Sequence, residues 1–191
     1  MALVKIGSDR PFCGGTLIGP NHVLTAAHCT GAFRGQWEVV LGEHSLTNSN
    51  DGAVKHRKCR HVNHPQYRRG DSQGINNDFA IVHLVKAVAI GPRARPACLP
   101  TSSMGEAALD GKTLTVSGWG RVPRKQNPTK LLKAGLPGVT NAKCKKNWFR
   151  RRRQITDQMM CAGDDGSKTG KAVGACHGDS GGRFSYICLL Y

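Results

Sequence analysis

The chain has 191 residues, eight of them Cys, and 28 Lys+Arg against 12 Asp+Glu, a formal net charge of +16. That length can bury a real interior, and 39% hydrophobic residues with 24 Gly describe a loop-rich globular protein and exclude a disordered one. No apolar run approaches the ~18–20 residues of a membrane span, and Met1-Ala2-Leu3-Val4-Lys5-Ile6 reaches Asp9 too soon for a signal peptide.

In chain order, β-type runs come at Val39-Val40-Leu41, Phe79-Ala80-Ile81-Val82-His83-Leu84-Val85 and Thr113-Leu114-Thr115-Val116-Ser117, separated by Gly, Pro and Asn clusters. Short strands with turn signals between them predict an all-β barrel or sandwich. Gly91-Pro92-Arg93-Ala94-Arg95-Pro96 reads as a linker, since its prolines oppose regular structure. It divides the chain into an expected unit at 1–100 and a second at 101–191. Asn141 to Arg150 is the one locally helical stretch. No Cys-x-x-Cys pair occurs, which excludes zinc ribbons and thioredoxin-like motifs. Isolated cysteines instead fit a disulfide-bonded extracellular protein.

Twelve Lys/Arg and no acid lie between Arg121 and Arg153. The densest part holds Lys143, Lys145, Lys146, Arg150, Arg151, Arg152 and Arg153. Such a run reads as a solvated loop or as a surface for sulfated glycans, held by charge and weakened by salt. Trp148 and Phe149 beside it raise nucleic-acid binding, which is set aside because no recognised motif accompanies them.

Two strings carry chemistry: Leu24-Thr25-Ala26-Ala27-His28-Cys29 and Gly178-Asp179-Ser180-Gly181-Gly182. A serine hydroxyl becomes a useful nucleophile only when a base takes its proton, and histidine titrates in the right range for that. A carboxylate then fixes the imidazole tautomer, and glycines beside the serine let backbone N–H groups converge on an oxyanion. Gly178-x-Ser180-x-Gly182 also matches the nucleophile elbow of α/β-hydrolases, where acid and histidine follow the serine. Here no Asp, Glu or His follows Ser180, so a triad must run His, Asp, Ser. The structural alternatives are a core or surface histidine for His28 and a strand-start turn residue for Asp78. His56, His61 and His64, near Cys59, are expected to be surface histidines and not metal ligands.

The chain resembles trypsin/chymotrypsin-family serine endopeptidases. Phe12-Cys13-Gly14-Gly15-Thr16-Leu17-Ile18 with Val23 to Cys29 is similar to the family's histidine region, and Asn77-Asp78-Phe79-Ala80-Ile81-Val82-His83-Leu84 to its aspartate strand. Ala97-Cys98-Leu99-Pro100, Gly118-Trp119-Gly120 and Met160-Cys161-Ala162-Gly163 are further landmarks in the family's order. The resemblance implies two antiparallel six-stranded β-barrels, the first carrying His28 and Asp78, the second, incomplete, carrying Ser180. It implies His28 as general base, Asp78 as its orienting acid, Ser180 as nucleophile and the N–H groups of Gly178 and Ser180 as oxyanion hole. Gly174 would lie at the base of the S1 pocket, where the absence of charge points to a chymotrypsin- or elastase-like preference. Implied disulfides are Cys13–Cys29 and Cys144–Cys161, leaving Cys59, Cys98, Cys176 and Cys188 unassigned. Expected partners are protein or peptide substrates, protease inhibitors and sulfated glycans; no cofactor, metal or nucleic acid is expected, and Glu43 lacks an evident second acid for a calcium loop. The implied location is extracellular.

The sequence also departs from the family. There is no Ile-Val-Gly-Gly-like segment, so Asp179 is expected to lack the N-terminal amine that pairs with it in the family, a cost of several kcal/mol for a buried charge. Arg183 stands where Pro is usual, and the segments that would build the S1 walls and the last strands are not found. The expectation is a sequence truncated at both ends and poorly active as it stands. The competing reading is a non-catalytic polyanion-binding protein on the same fold.

Overall fold

The computed structural model describes residues 2–6, 12–30, 37–68, 76–101, 104–122, 128–149, 155–163, 173–186 and 189–190. Arg150 to Arg153 and Cys188 lie outside the described residues. Six strands form a closed antiparallel barrel: β1 (Ala2–Ile6), β2 (Cys13–Gly19), β3 (His22–Thr25), β4 (Trp37–Leu41), β5 (Val54–Asn63) and β6 (Ala80–His83), in the order β1-β2-β3-β6-β5-β4. A second sheet, β11-β10-β7-β8-β9, uses β7 (Thr113–Gly118), β8 (Leu132–Val139), β9 (Cys161–Ala162), β10 (Arg183–Tyr186) and β11 (Leu189–Leu190). It is open among the described residues. The one α-helix among them, α1 (Asn141–Phe149), lies between β8 and β9, where the sequence reading expects it. Among the described residues no helix is long and apolar enough to cross a membrane.

Period-2 patterning builds the barrel: along β3 and β6 buried residues alternate with half-buried ones, sending Val23, Thr25, Ala80 and Val82 inward. Val23, Val39 and Val82 meet Leu17, Leu41 and Leu84 in the barrel core. Buried Cys13 and Cys29 join this cluster and are disulfide-bonded, closing a loop of sequence separation 16. Cys144 and Cys161 form the second bridge, tying α1 to β9. These are the two pairings the resemblance implies; Cys59 is free and buried, Cys98 free and exposed, and Cys176 free. Replacing Cys13 and Cys29 together by Ala is expected to cost about 3 kcal/mol, the loop-closure value for that separation. Thermal unfolding should show it as a fall in Tm of roughly 10 °C.

Gly91-Pro92-Arg93-Ala94 is not an open linker. It closes a tight turn, with Gly91 N–H donating to Ala94 O (3.0 Å) and Ala94 N–H to Gly91 O (3.2 Å). Downstream, Ala97 N–H donates to Leu17 O (2.8 Å), and Ala94 packs on the barrel core. The proline rings leave both of these bonds intact, because neither uses a proline nitrogen.

Barrel and second sheet are stitched through Trp119, whose ring packs on Val40 with Leu46, Ala53 and Leu131. Its indole Nε1–H donates to His44 O (3.3 Å), and backbone bonds link Leu46 to Thr129 and Leu131 to His44, each at 2.8 Å. This places the segment that follows β7 against the barrel wall.

Candidate active site

β3 ends at Thr25, and Ala27–Cys29 turns as a single 3₁₀ helix with Ala27 and Cys29 buried on either side of His28. The turn is closed by Thr30, whose N–H and hydroxyl both donate to Ala27 O, at 3.0 and 2.7 Å. With its neighbours anchored inward, the His28 side chain is left 40% exposed at the end of the barrel. Asp78 approaches from the segment leading into β6. Its Oδ2 lies 2.6 Å from His28 Nδ1, and its Oδ1 accepts the His28 main-chain N–H at 2.7 Å. The two bonds fix both the carboxylate and the imidazole plane. The Asp78 hydrogen bond is the largest influence on His28 and raises its pKa above the ordinary 6.5; burial opposes it, and the Asp78 charge adds to it.

The loop that carries Ser180, just before β10, meets the barrel at Gly14 and Cys29. Ser180 O accepts the N–H of Gly14 at 2.7 Å, and Gly14 adjoins Cys13, which is bridged to Cys29. The next residue, Gly181, sits with φ +72° against Thr25 Oγ1, Gly14 O and Ala26 N, so close that a Cβ there would collide with all three. The loop that carries Ser180 therefore seats on the turn that presents His28. Gly178 adopts φ +98°, and among the described residues neither its N–H nor that of Ser180 makes a hydrogen bond.

Asp179 departs from its expected state. It is half-buried and not unpaired: Oδ1 accepts Gly120 N–H (2.8 Å) and Oδ2 accepts Cys176 N–H (3.0 Å). Gly118 and Gly120 cradle this carboxylate, and a Cβ on either would strike it. Backbone donors supply what the sequence reading sought from an amine.

Gly174 is exposed, and a Cβ built on it meets nothing within 4 Å. Beside Asp78 a cleft of about 440 Å³ is lined by His64, Asn76, Asn77, Phe79 and Gln158. Asn77 and Phe79 belong to the aspartate-strand motif, whereas only the fold brings His64, Asn76 and Gln158 beside them. Cys13, His28 and Cys29 bring ligand-type atoms within 4.8 Å of one another, but both sulfurs are spent in the disulfide and offer no thiolate to a metal. His56, His61 and His64 differ from their expected surface state: all three are half-buried, and burial lowers the pKa of His56 and of His61. In the basic run, Lys143 pairs with Asp110 (3.2 Å) and Lys145 with Asp157 (2.6 Å), while Lys146 is exposed. Glu43 does have an acidic neighbour: Asp51 lies in its loop, with one carboxylate oxygen accepting the N–H groups of His44 and Ser45 at 2.9 Å each. Those donors, and a bond from Glu43, hold Asp51 well below the usual carboxylate range.

A family profile described as Trypsin matches residues 1–188. The chain belongs to the trypsin family. Among trypsin-family relatives, it is 35% identical over 187 residues to melanization protease 1 of Drosophila melanogaster, covering 89% of this chain and 45% of that protein. It is 35% identical over 173 residues to human kallikrein-8, covering 90% of this chain and 61% of that one. The chain thus spans about half the length of these curated relatives. In structure it is similar to neuropsin, a serine protease expressed in the limbic system of mouse brain, with a TM-score of 0.82, 28% identity and coverage of 99% of this chain and 78% of neuropsin. The β-rich two-unit architecture is that of the trypsin-like fold.

Proposed function

We propose that this chain is a serine endopeptidase acting through His28, Asp78 and Ser180, on proteins or peptides in the extracellular space. The observation that carries the reading is the double clasp of Asp78 on His28, at Nδ1 and at the main-chain N–H. An Nδ1–H donated to Asp78 leaves Nε2 with its lone pair free to act as base. Ser180 Oγ attacks the scissile carbonyl carbon as its proton passes to His28 Nε2. The carbonyl electrons move to oxygen, which the N–H groups of Gly178 and Ser180 stabilise. Collapse breaks the C–N bond, and the His28 imidazolium returns its proton to the departing amine. Water then repeats the sequence on the acyl-enzyme and frees Ser180. Asp78 stays ionised throughout and stabilises the imidazolium. Gly174 brings no charge to the specificity subsite, which favours substrates with apolar or aromatic side chains there. Protease inhibitors that mimic such a segment would occupy the same site.

The test is the rate of labelling by a fluorophosphonate probe as a function of pH. His28 must be neutral to accept the Ser180 proton, and its folded pKa is raised. Labelling should therefore be slow in acid and rise with pH, with a midpoint above 6.5. A rate independent of pH across that range, or no labelling by the folded protein, would overturn the reading.

A further inference from the structure

A second cavity, of about 780 Å³, lies away from this site. Antiparallel pairing sets Arg60 against His83 and Asn63 against Ala80, so Asp78 sits at the Asn63 end of the β5–β6 pair. The cavity opens at the other end, between the start of β5 (Val54 to Arg57) and the segment from Val85 to Ala94. Its volume falls within the range of ligand-binding clefts.

Its chemistry is two-sided. The floor and lip are apolar, built by Leu41, Val54, Val85 and Val88, and Val54 and Val85 remain 55% and 70% exposed. Four cations, Lys55, Arg57, Lys86 and Arg93, share the lining with no Asp or Glu among the described residues. Arg57 pairs with Glu38 from β4 yet stays 74% exposed, and Arg93 donates to the Asp51 carbonyl, whereas Lys55 and Lys86 are exposed with no acidic partner among the described residues. None of these cations belongs to the basic run at 121–153. Two stretches remote in sequence, each without an acid, are folded together into one positive groove.

We propose that this groove docks an extended acidic segment of a protein partner, with carboxylates facing Lys55 and Lys86 and an apolar side chain seated on Val54 and Val85. Charge complementarity selects an anionic occupant, and the exposed valines select a peptide over a sulfated glycan, which has no apolar side chains to bury there. The groove is independent of the triad.

The test is fluorescence anisotropy with a short labelled peptide of Glu, Asp and Leu, using the Ser180→Ala chain so that the probe is not cut. Reversing Lys55 and Lys86 together to Glu should weaken binding at least about tenfold at low salt. Val85→Ser should weaken it about threefold or more, and the probe with Ala for Leu should also bind less well. Lys133→Glu, the same kind of charge change on β8, should stay within about twofold, because its charge lies outside the groove. All four residues are exposed, so the barrel core is untouched. No binding up to ~1 mM, or equal loss with Lys133→Glu, overturns the proposal. So does a heparin fragment that needs Lys55 and Lys86 while Val85→Ser and the Ala probe change nothing; the groove would then be a polyanion surface.

Discussion

Ser180→Ala is expected to abolish fluorophosphonate labelling and to lower kcat/KM on peptide substrates by about 10⁵-fold or more. The magnitude follows from what remains: without the hydroxyl no acyl-enzyme forms, and only binding and the oxyanion donors act on a direct attack by water. Ser180 contributes its carbonyl, not its hydroxyl, to the bond from Gly14, so Ala preserves the contact that seats the loop on the barrel. The folded state should therefore survive, with Tm close to that of the parent. Labelling that persists in Ser180→Ala would place the nucleophile elsewhere and remove the basis of the mechanism.

Asp78→Asn is expected to lower kcat by about 10⁴-fold with much less change in KM. The amide can still accept one bond, but its NH₂ turned toward His28 Nδ1 would need that nitrogen as an acceptor. The proton then resides on Nε2, where the base is required. The same change removes the largest cause of the raised His28 pKa, the Asp78 hydrogen bond, together with the Asp78 charge. With burial left to act alone, His28 should titrate at lower pH than in the parent. NMR titration of the imidazole reads this directly. A kcat loss without a downward move of the His28 midpoint would mean that Asp78 supports the loop and does not tune the base.

How much of this was legible in the sequence depended on whether one stretch of chain held the whole signal. Leu24 to Cys29 buries the small residues Thr25, Ala26 and Ala27 and the bridged Cys29 while leaving His28 exposed, so His28 could be read from its own neighbours. The same holds for Gly178 to Gly182, where positive φ at Gly178 and Gly181 demands glycine. Strand β5 was not legible. Val54-Lys55-His56-Arg57-Lys58-Cys59-Arg60-His61-Val62 has no apolar period, and among these residues only Cys59 is buried. It is a strand because β4 and β6 offer hydrogen bonds on both sides. Strand β8 hid behind Pro137, which pairs with Thr113 at the very start of β7.

The basic run at Arg121–Arg153 and the groove show the same division. A charge count along the chain finds the first, because its cations are consecutive. It misses the second, because Lys55 and Lys86 meet only when β5 and the segment after β6 close the same end of the barrel.

By itself, the sequence determined the family resemblance, the His-Asp-Ser order, the two bridges and the weak helix. The order and the helix rest on local residues, and the two bridges came as what the resemblance implied. Tertiary structure alone decided that Asp78 grips His28 twice, that backbone N–H groups of Gly120 and Cys176 satisfy Asp179, and that four scattered cations line one groove with no acid among its described lining residues. The physical reason is that hydrogen bonds and charge act over a few ångströms of space, and barrel closure sets those distances whatever the separation along the chain.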